Sequence, residues 1–106
     1  MSKYLIQVSY TSEGAKGVLK AGGSARVKAA SDAVAQLGGR VESFYFCFGP
    51  DDAAIVVDVP DPAAMAAISL AVTASGAIRT RSTALLTPEQ IDDAAKMHAT
   101  FRPPGQ

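Results

Sequence analysis

The chain has one cysteine, one histidine and no tryptophan, and these shortages exclude several classes of protein. A single cysteine cannot form a disulfide framework within the chain, so we expect a reducing compartment, the cytoplasm. A single histidine excludes a multi-histidine metal site within one chain. We therefore expect neither a bound metal nor another cofactor.

Net charge and long apolar runs are lacking as well. Ten basic and ten acidic side chains balance, so no overall positive field is present to hold nucleic acid or an anionic membrane. No uncharged apolar run reaches the roughly 20 residues of a membrane-spanning helix. The first residues also lack the apolar segment of a secretion signal. We expect a soluble protein that binds neither nucleic acid nor membrane.

The length and composition predict one domain with a thin core. The chain of 106 residues is too short for two domains, so we assign residues 1–106 to a single domain whose tail, residues 99–106, is irregular. Hydrophobic residues make up 48% of the chain, but alanine supplies much of this share. A thin core is often supplemented by an interface with another subunit, so we expect a homo-oligomer.

The feature that organises the chain is a predicted β-hairpin between residues 41 and 60. Two runs rich in aromatic and β-branched residues flank a Gly-Pro-Asp-Asp segment at 49–52, which is typical of a hairpin. If those four residues form the loop, the phenylalanines of the first strand face apolar residues of the second and lie on the buried face. The predicted pairs are Phe48 with Ala53, Phe46 with Ile55, and Phe44 with Val57.

Further strands are predicted on either side of the hairpin. Alternating apolar residues predict a strand over residues 4–10 and another over residues 77–86. With helices between the strands, the order is β-α-β-β-α-β. The expected fold class is α+β, ferredoxin-like, with a four-stranded antiparallel sheet and an added C-terminal helix.

Capping residues and glycines mark the helices. The predicted helices span residues 13–20, 25–37, 62–75 and 88–98. Ser24, Asp61 and Thr87 are typical N-caps of the last three, and Gly76 ends the third. A basic group accompanies the first two helices and is typical of a solvated helical face rather than an anion site. It consists of Lys16, Lys20, Arg26 and Lys28.

Short motifs in this order resemble the GYD-domain family, small bacterial proteins with a ferredoxin-like fold related to the dimeric α+β barrels. The motifs are Tyr10-Thr11 with Gly14, Leu37-Gly38-Gly39, Phe44-Tyr45 with Gly49 and Asp52, Pro60-Asp61, and Gly76 with Arg79-Thr80. The resemblance extends from Tyr4 to about Glu89. It departs at the signature turn, because Asp51 stands where the family has tyrosine. The family is largely uncharacterised, so the resemblance implies a fold and an oligomer but no activity.

The candidate site lies on the open face of the sheet, since the helices of a ferredoxin-like fold cover only one face and related proteins pair the other. The candidate ligand-binding residues are Gln7, Ser9, Tyr45, Asp58, Arg79 and Arg81. Arg79 and Arg81 lie two apart on a strand, so both guanidinium groups point the same way and can clamp a carboxylate. The alternative is a structural pairing of these arginines with Asp58 or Glu42, either on the sheet or across a dimer.

Other polar residues have simpler interpretations. Tyr45 can donate a proton or orient a ligand, but a packing role is the more usual one. Cys47 is expected to be a small buried apolar residue, because it lies in an aromatic strand without a cationic neighbour. His98 is expected to cap the C-terminal helix. Asp51 and Asp52 are interpreted as ordinary turn residues rather than as a cation site.

Three functional hypotheses follow. The first is a homo-oligomer that binds a small, acidic organic molecule on the open sheet face. The second is a cofactor-independent oxygenase or isomerase, in which Tyr45, Arg79 and Asp58 surround the substrate. The third is a purely structural assembly protein with a dry sheet interface.

Overall fold

Four segments of alternating apolar and polar residues form one antiparallel sheet in a computed structural model that describes residues 1–106. The strands are β1 (Ser2–Tyr10), β2 (Arg40–Phe46), β3 (Ala53–Val59) and β4 (Ile78–Leu85). Their order across the sheet is β2-β3-β1-β4. The two strands that are central in space are therefore β3 and β1. This arrangement confirms the predicted α+β, ferredoxin-like fold.

Four helices accompany the sheet. They are α1 (Ser12–Ala21), α2 (Gly23–Gln36), α3 (Pro62–Ala74) and α4 (Pro88–Lys96). The Asp61 carboxylate accepts a hydrogen bond from the amide of Ala64 at 2.9 Å, so the predicted N-cap of α3 is confirmed. Thr87 and Gln90 form a reciprocal capping box at the start of α4. None of these helices combines the length and the apolar character needed to cross a membrane.

The predicted start of α2 is wrong, because the helix begins at Gly23 and Ser24 is not its cap. Gly22 alone turns the chain between α1 and α2 with a φ of +85°, a conformation that glycine adopts readily. Gly23 packs against the ring of Phe46, since a Cβ at this position would lie 3.0 Å from the ring carbon Cε2. The second glycine is therefore part of the helix rather than part of its stop signal.

The predicted hairpin register is wrong by two residues. Phe46 faces Ala53 and Phe44 faces Ile55, so the loop covers residues 47–52 rather than four residues. The loop is longer because Asp52 binds β1: its amide donates to the Val8 carbonyl at 2.7 Å, and its carboxylate accepts from the Tyr10 amide at 2.9 Å. A slip of two residues keeps each side chain on its predicted face.

The core lies between the sheet and the two helices α2 and α3. It contains nine buried apolar residues, which confirms the thin core expected from the alanine-rich composition. They are Ile6, Val8, Val34, Ala53, Ile55, Val57, Val59, Met65 and Ile68. Phe46 is half-exposed and Phe48 is 99% exposed, so the prediction that both are buried is wrong. Phe48 lies outside β2, in the long loop, where no strand or helix covers it.

The C-terminal part of the chain adds little to this core. No residue of α4 is buried, and residues 97–106 contain neither helix nor strand. The radius of gyration is 16.9 Å, whereas about 13 Å is typical of a compact chain of this length. The chain is therefore less compact than is typical of its length, with a longest dimension of 56 Å.

Candidate functional site

The open face of the sheet carries two polar clusters separated by an apolar row. Leu5 of β1 lies between Val56 of β3 and Thr83 of β4, and these residues form the middle row. The Asp51 cluster lies on one side of this row and contains Gln7, Ser9, Asp51, Arg79 and Arg81. The Asp58 cluster lies on the other side and contains Lys3, Arg40, Glu42 and Asp58. Strand alternation places the strand residues on one face, because every second residue points the same way. Asp51 reaches the same face from the hairpin loop.

The Asp51 cluster is held together by the carboxylate of the hairpin loop. The guanidinium Nη2 of Arg81 lies 2.7 Å from Asp51 Oδ2, and Gln7 Nε2 donates to the same oxygen at 3.2 Å. Ser9 Oγ donates to Asp51 Oδ1 at 3.4 Å. The side chain of Asp51 is only 15% exposed. The loop therefore folds over β1 and β4 and brings a carboxylate onto the open face.

Arg79 lies in the same cleft but has no carboxylate partner. The cleft measures about 370 Å³ and is lined by Gln7, Ser9, Pro50, Asp51, Arg79, Thr80 and Arg81. None of the ion pairs in the protein includes Arg79. Two guanidinium groups therefore face one carboxylate, which leaves one positive charge in excess.

The Asp58 cluster is a set of ion pairs around a buried carboxylate. Asp58 is 7% exposed, and Lys3 Nζ lies 3.0 Å from its Oδ1. Arg40 Nη2 lies 2.9 Å from Oδ2, although not in hydrogen-bond geometry. Lys3 also binds Glu42. Its hydrogen bond to Glu42, and to a smaller extent that to Asp58, raises the pKa of Lys3 above its usual range. The cluster thus keeps a buried charge neutralised.

Within one chain the arginines of β4 do not pair with Asp58 or Glu42. The alternative of a pairing on the sheet is therefore wrong, while a pairing across a dimer stays a prediction. β1 separates β4 from β3, and Asp58 lies opposite Lys3 whereas Arg81 lies opposite Gln7. Four residues of β1 correspond to about 14 Å. The structure brings Gln7, Ser9, Arg79 and Arg81 together and leaves Asp58 apart from them.

Tyr45 lies in the same cross-strand row as the Asp51 cluster but at its far end. It faces Ala54, which in turn faces Gln7, so it lies two strands from β1, or about 10 Å. Its side chain is 72% exposed. The predicted packing role is therefore not met within one chain, because nothing in the same chain covers the ring.

Cys47 and His98 differ from the expectations as well. Cys47 is exposed in the long loop, where its Sγ donates to the Asp51 carbonyl at 3.3 Å, so the prediction of a buried thiol is wrong. His98 lies two residues beyond the end of α4 and is exposed. No three His, Cys, Asp or Glu side chains lie together in a group that could hold a metal ion.

The basic group of α1 and α2 does not behave as one solvated face. Lys16 and Lys28 are exposed and pair with Glu13 and Asp32. Arg26 instead is half-buried and lies beside Tyr10. Burial raises the pKa of Tyr10 above its usual range, and the positive charge of Arg26 offsets part of this rise. The prediction of a solvated side chain is wrong for Arg26.

Two features of the site were not predicted from the sequence. Asp51 was interpreted as a turn residue, yet its carboxylate binds three side chains of other strands. The sequence did contain a signal for this contact. Two adjacent carboxylates lie in the turn, and two arginines and two polar residues lie on strands that were predicted to be close to it. Arg26 differs from the neighbouring lysines by its spacing of three, four and seven residues from Ala29, Ala30 and Ala33, which places it on their side of α2.

Comparison with known proteins identifies the family. A family model described as the GYD domain matches residues 4–95. No curated protein and no solved structure matches the chain. The matched range runs from β1 to α4 and includes the Asp51 cluster. Since it covers far more than half of the sequence, the chain belongs to the GYD domain family.

Proposed function

We propose that the protein is a homo-oligomer that binds a small organic anion at the Asp51 cluster, between the open sheet faces of two chains. The observation that carries this proposal is the excess positive charge of the cleft. Arg79 and Arg81 face the single carboxylate of Asp51, and Arg79 has no partner of its own. A carboxylate of the ligand completes the charge balance and accepts a bidentate hydrogen bond.

The neighbouring side chains suit the recognition of a polar molecule. Gln7 and Ser9 carry donors and acceptors, and both already point at the loop carboxylate. The cleft of about 370 Å³ has room for a small organic acid above them. Ligand specificity then comes from a few placed hydrogen bonds and from the charge.

Pairing of two chains through this face is supported by its exposed apolar groups. Tyr45 is 72% exposed, and Leu5 and Val56 form an apolar row between the two polar clusters. Tyrosine is enriched in protein interfaces, where its ring is buried and its hydroxyl finds a partner. A second chain over the face excludes water from the cleft and strengthens the interaction of Arg79 with an anion.

The ligand part of the proposal is tested by native mass spectrometry of the protein from its own host, followed by calorimetric titration with a panel of small mono- and dicarboxylates. We expect Arg79→Ala to weaken binding of the carboxylate that binds best by roughly 10- to 100-fold, since a hydrogen bond to a charged group contributes about 1.5–3 kcal/mol. Arg102→Ala removes the same charge from the exposed tail and serves as the control. Equal affinity of both variants would show that the anion binds elsewhere.

The oligomer part has its own matched pair of variants. Tyr45 on the open face and Leu70 on α3 are both 72% exposed. We expect Tyr45→Glu to dissociate the oligomer in sedimentation velocity, because it places a charge in the interface, while Leu70→Glu leaves it intact. A wild-type monomer, or dissociation only by Leu70→Glu, would refute pairing through the sheet. An oligomer that binds none of the acids would favour the structural hypothesis.

A further inference from the structure

The opposite face of the sheet contains a second cleft, which the proposed function does not use. α2 contacts β2 and α3 contacts β4 and β3, so the two helices lie toward opposite edges of the sheet. The side of α2 that faces the gap carries Ala29, Ala30 and Ala33, which are too small to fill it. A cavity of about 150 Å³ remains between the helices over the central strands.

The walls of this cavity are apolar except at one end. Fourteen of its fifteen lining residues are hydrophobic, and Arg26 is the exception. The ring of Tyr10, beside Arg26, forms part of the same wall. No carboxylate of the protein pairs with Arg26, in contrast to Lys28 two residues further along α2, which lies 2.9 Å from Asp32. A guanidinium without a carboxylate partner thus lies beside Tyr10 at the end of an apolar cavity.

A smaller polar cleft continues beyond that end. It measures about 210 Å³ and shares Tyr10, Arg26 and Ile78 with the apolar cavity. Glu13, Gly14 and Gly17 of α1 form part of its wall. The apolar cavity, the guanidinium of Arg26 and the polar cleft therefore lie one after another in space.

We propose that this cleft between α2 and α3 is a second binding site, which takes a small monocarboxylate with an aromatic or short aliphatic body. The body occupies the apolar cavity, the carboxylate binds the Arg26 guanidinium, and the Tyr10 hydroxyl donates a hydrogen bond to the same group. An apolar cavity of about 150 Å³ holds a molecule of the size of benzene. Charge complementarity selects an acid over a neutral or cationic molecule of equal size.

This site is independent of the Asp51 cluster, because the sheet separates them. The experiment uses phenylacetate as the probe and phenylacetamide as its neutral counterpart, with the full chain labelled with ¹³C at alanine methyl groups. Ala29, Ala30 and Ala33 line the proposed site, while Ala54 lies on the open face beside Gln7. We expect phenylacetate to shift the three helix methyl signals with a saturable dependence, and the amide to bind at least tenfold more weakly.

Variants separate charge from shape. Arg26→Gln is expected to weaken phenylacetate binding at least tenfold, while Lys28→Gln, on the same helix, leaves it unchanged. Ala33 is exposed, so Ala33→Leu can fill the cavity without disturbing the core. We expect this variant to stay folded and to block binding of both probes. Shifts confined to Ala54 would overturn the proposal in favour of the open face. Equal affinity for acid and amide, or no shift at saturating phenylacetate, would also overturn it.

Discussion

Replacement of Gly14 by alanine is expected to separate α1 from the start of β4. A Cβ on Gly14 would overlap the carbonyl oxygen of Ala77 and lie 3.1 Å from Cδ1 of the Tyr10 ring. The same carbonyl accepts hydrogen bonds from the amide of Thr11 at 3.0 Å and from its hydroxyl at 3.1 Å. The helix can make this approach only because Gly14 has no side chain.

The size of the effect follows from opposing contributions. Overpacking typically costs about 1–3 kcal/mol, and the upper end applies because the obstacle is backbone that no rotamer change can move. Loss of the Thr11 hydrogen bonds adds about 1 kcal/mol, and the better helix propensity of alanine returns about as much. The net loss of about 2–3 kcal/mol corresponds to a Tm lower by roughly 10–20 °C for a domain of this size.

Gly17 provides the control for this prediction. It lies three residues further along α1, and a Cβ there meets no atom within 4 Å. Gly17→Ala should therefore raise the free energy of unfolding by about 0.5–1 kcal/mol through helix propensity alone. Urea unfolding followed by circular dichroism measures both variants. Shifts of the same sign for Gly14→Ala and Gly17→Ala would refute the close approach of α1 to β4.

Two further predictions concern charge. Asp51→Asn should lower the free energy of unfolding by about 1–2 kcal/mol, because it weakens the hydrogen bonds from Gln7 and Arg81. The same variant should tighten binding of a carboxylate at Arg79, whereas Arg79→Ala weakens it. Urea unfolding measures the first effect and calorimetric titration the second. Because burial raises the pKa of Tyr10 in the folded state, stability is fully present below the unfolded pKa near 10 and falls as the pH rises through the folded value. Tyr10→Phe should reduce this alkaline loss of stability, while Tyr45→Phe should not. If the urea midpoint falls by the same amount over this pH range in the wild type and in both variants, the prediction is wrong.

The starts of α3 and α4 and the strand faces could be predicted because they depend on local rules. Asp61 and Thr87 cap helices through their own side chains within three residues, so the sequence contains both partners of each bond. Alternation likewise assigns a face without knowledge of the partner strand. Each of these features involves residues that are close in the chain.

The register, the burial of the loop residues and the charge of the site required the tertiary structure. The hairpin loop has its length because Asp52 binds Val8 and Tyr10 of a strand more than 40 residues earlier. Phe48 is exposed for the same reason, since it lies in the loop once β2 ends at Phe46. The spacing of Arg26 places it on the alanine side of α2, but the gap that this side faces is a property of the tertiary structure.

The position of the loop gives a physical meaning to the departure from the GYD signature. Asp51 occupies the position that the resemblance assigns to tyrosine, and in this fold that position contacts Gln7, Ser9 and Arg81 on the open face. A carboxylate here neutralises one of two arginines, whereas a tyrosine leaves both uncompensated and places a ring over the cleft. In the anion site that we propose, the residue at this position therefore sets the number of negative charges that a ligand must supply. By this reasoning the proposed site with Asp51 suits a monoanion, and we expect Asp51→Tyr to shift the preference of this chain toward a dianion.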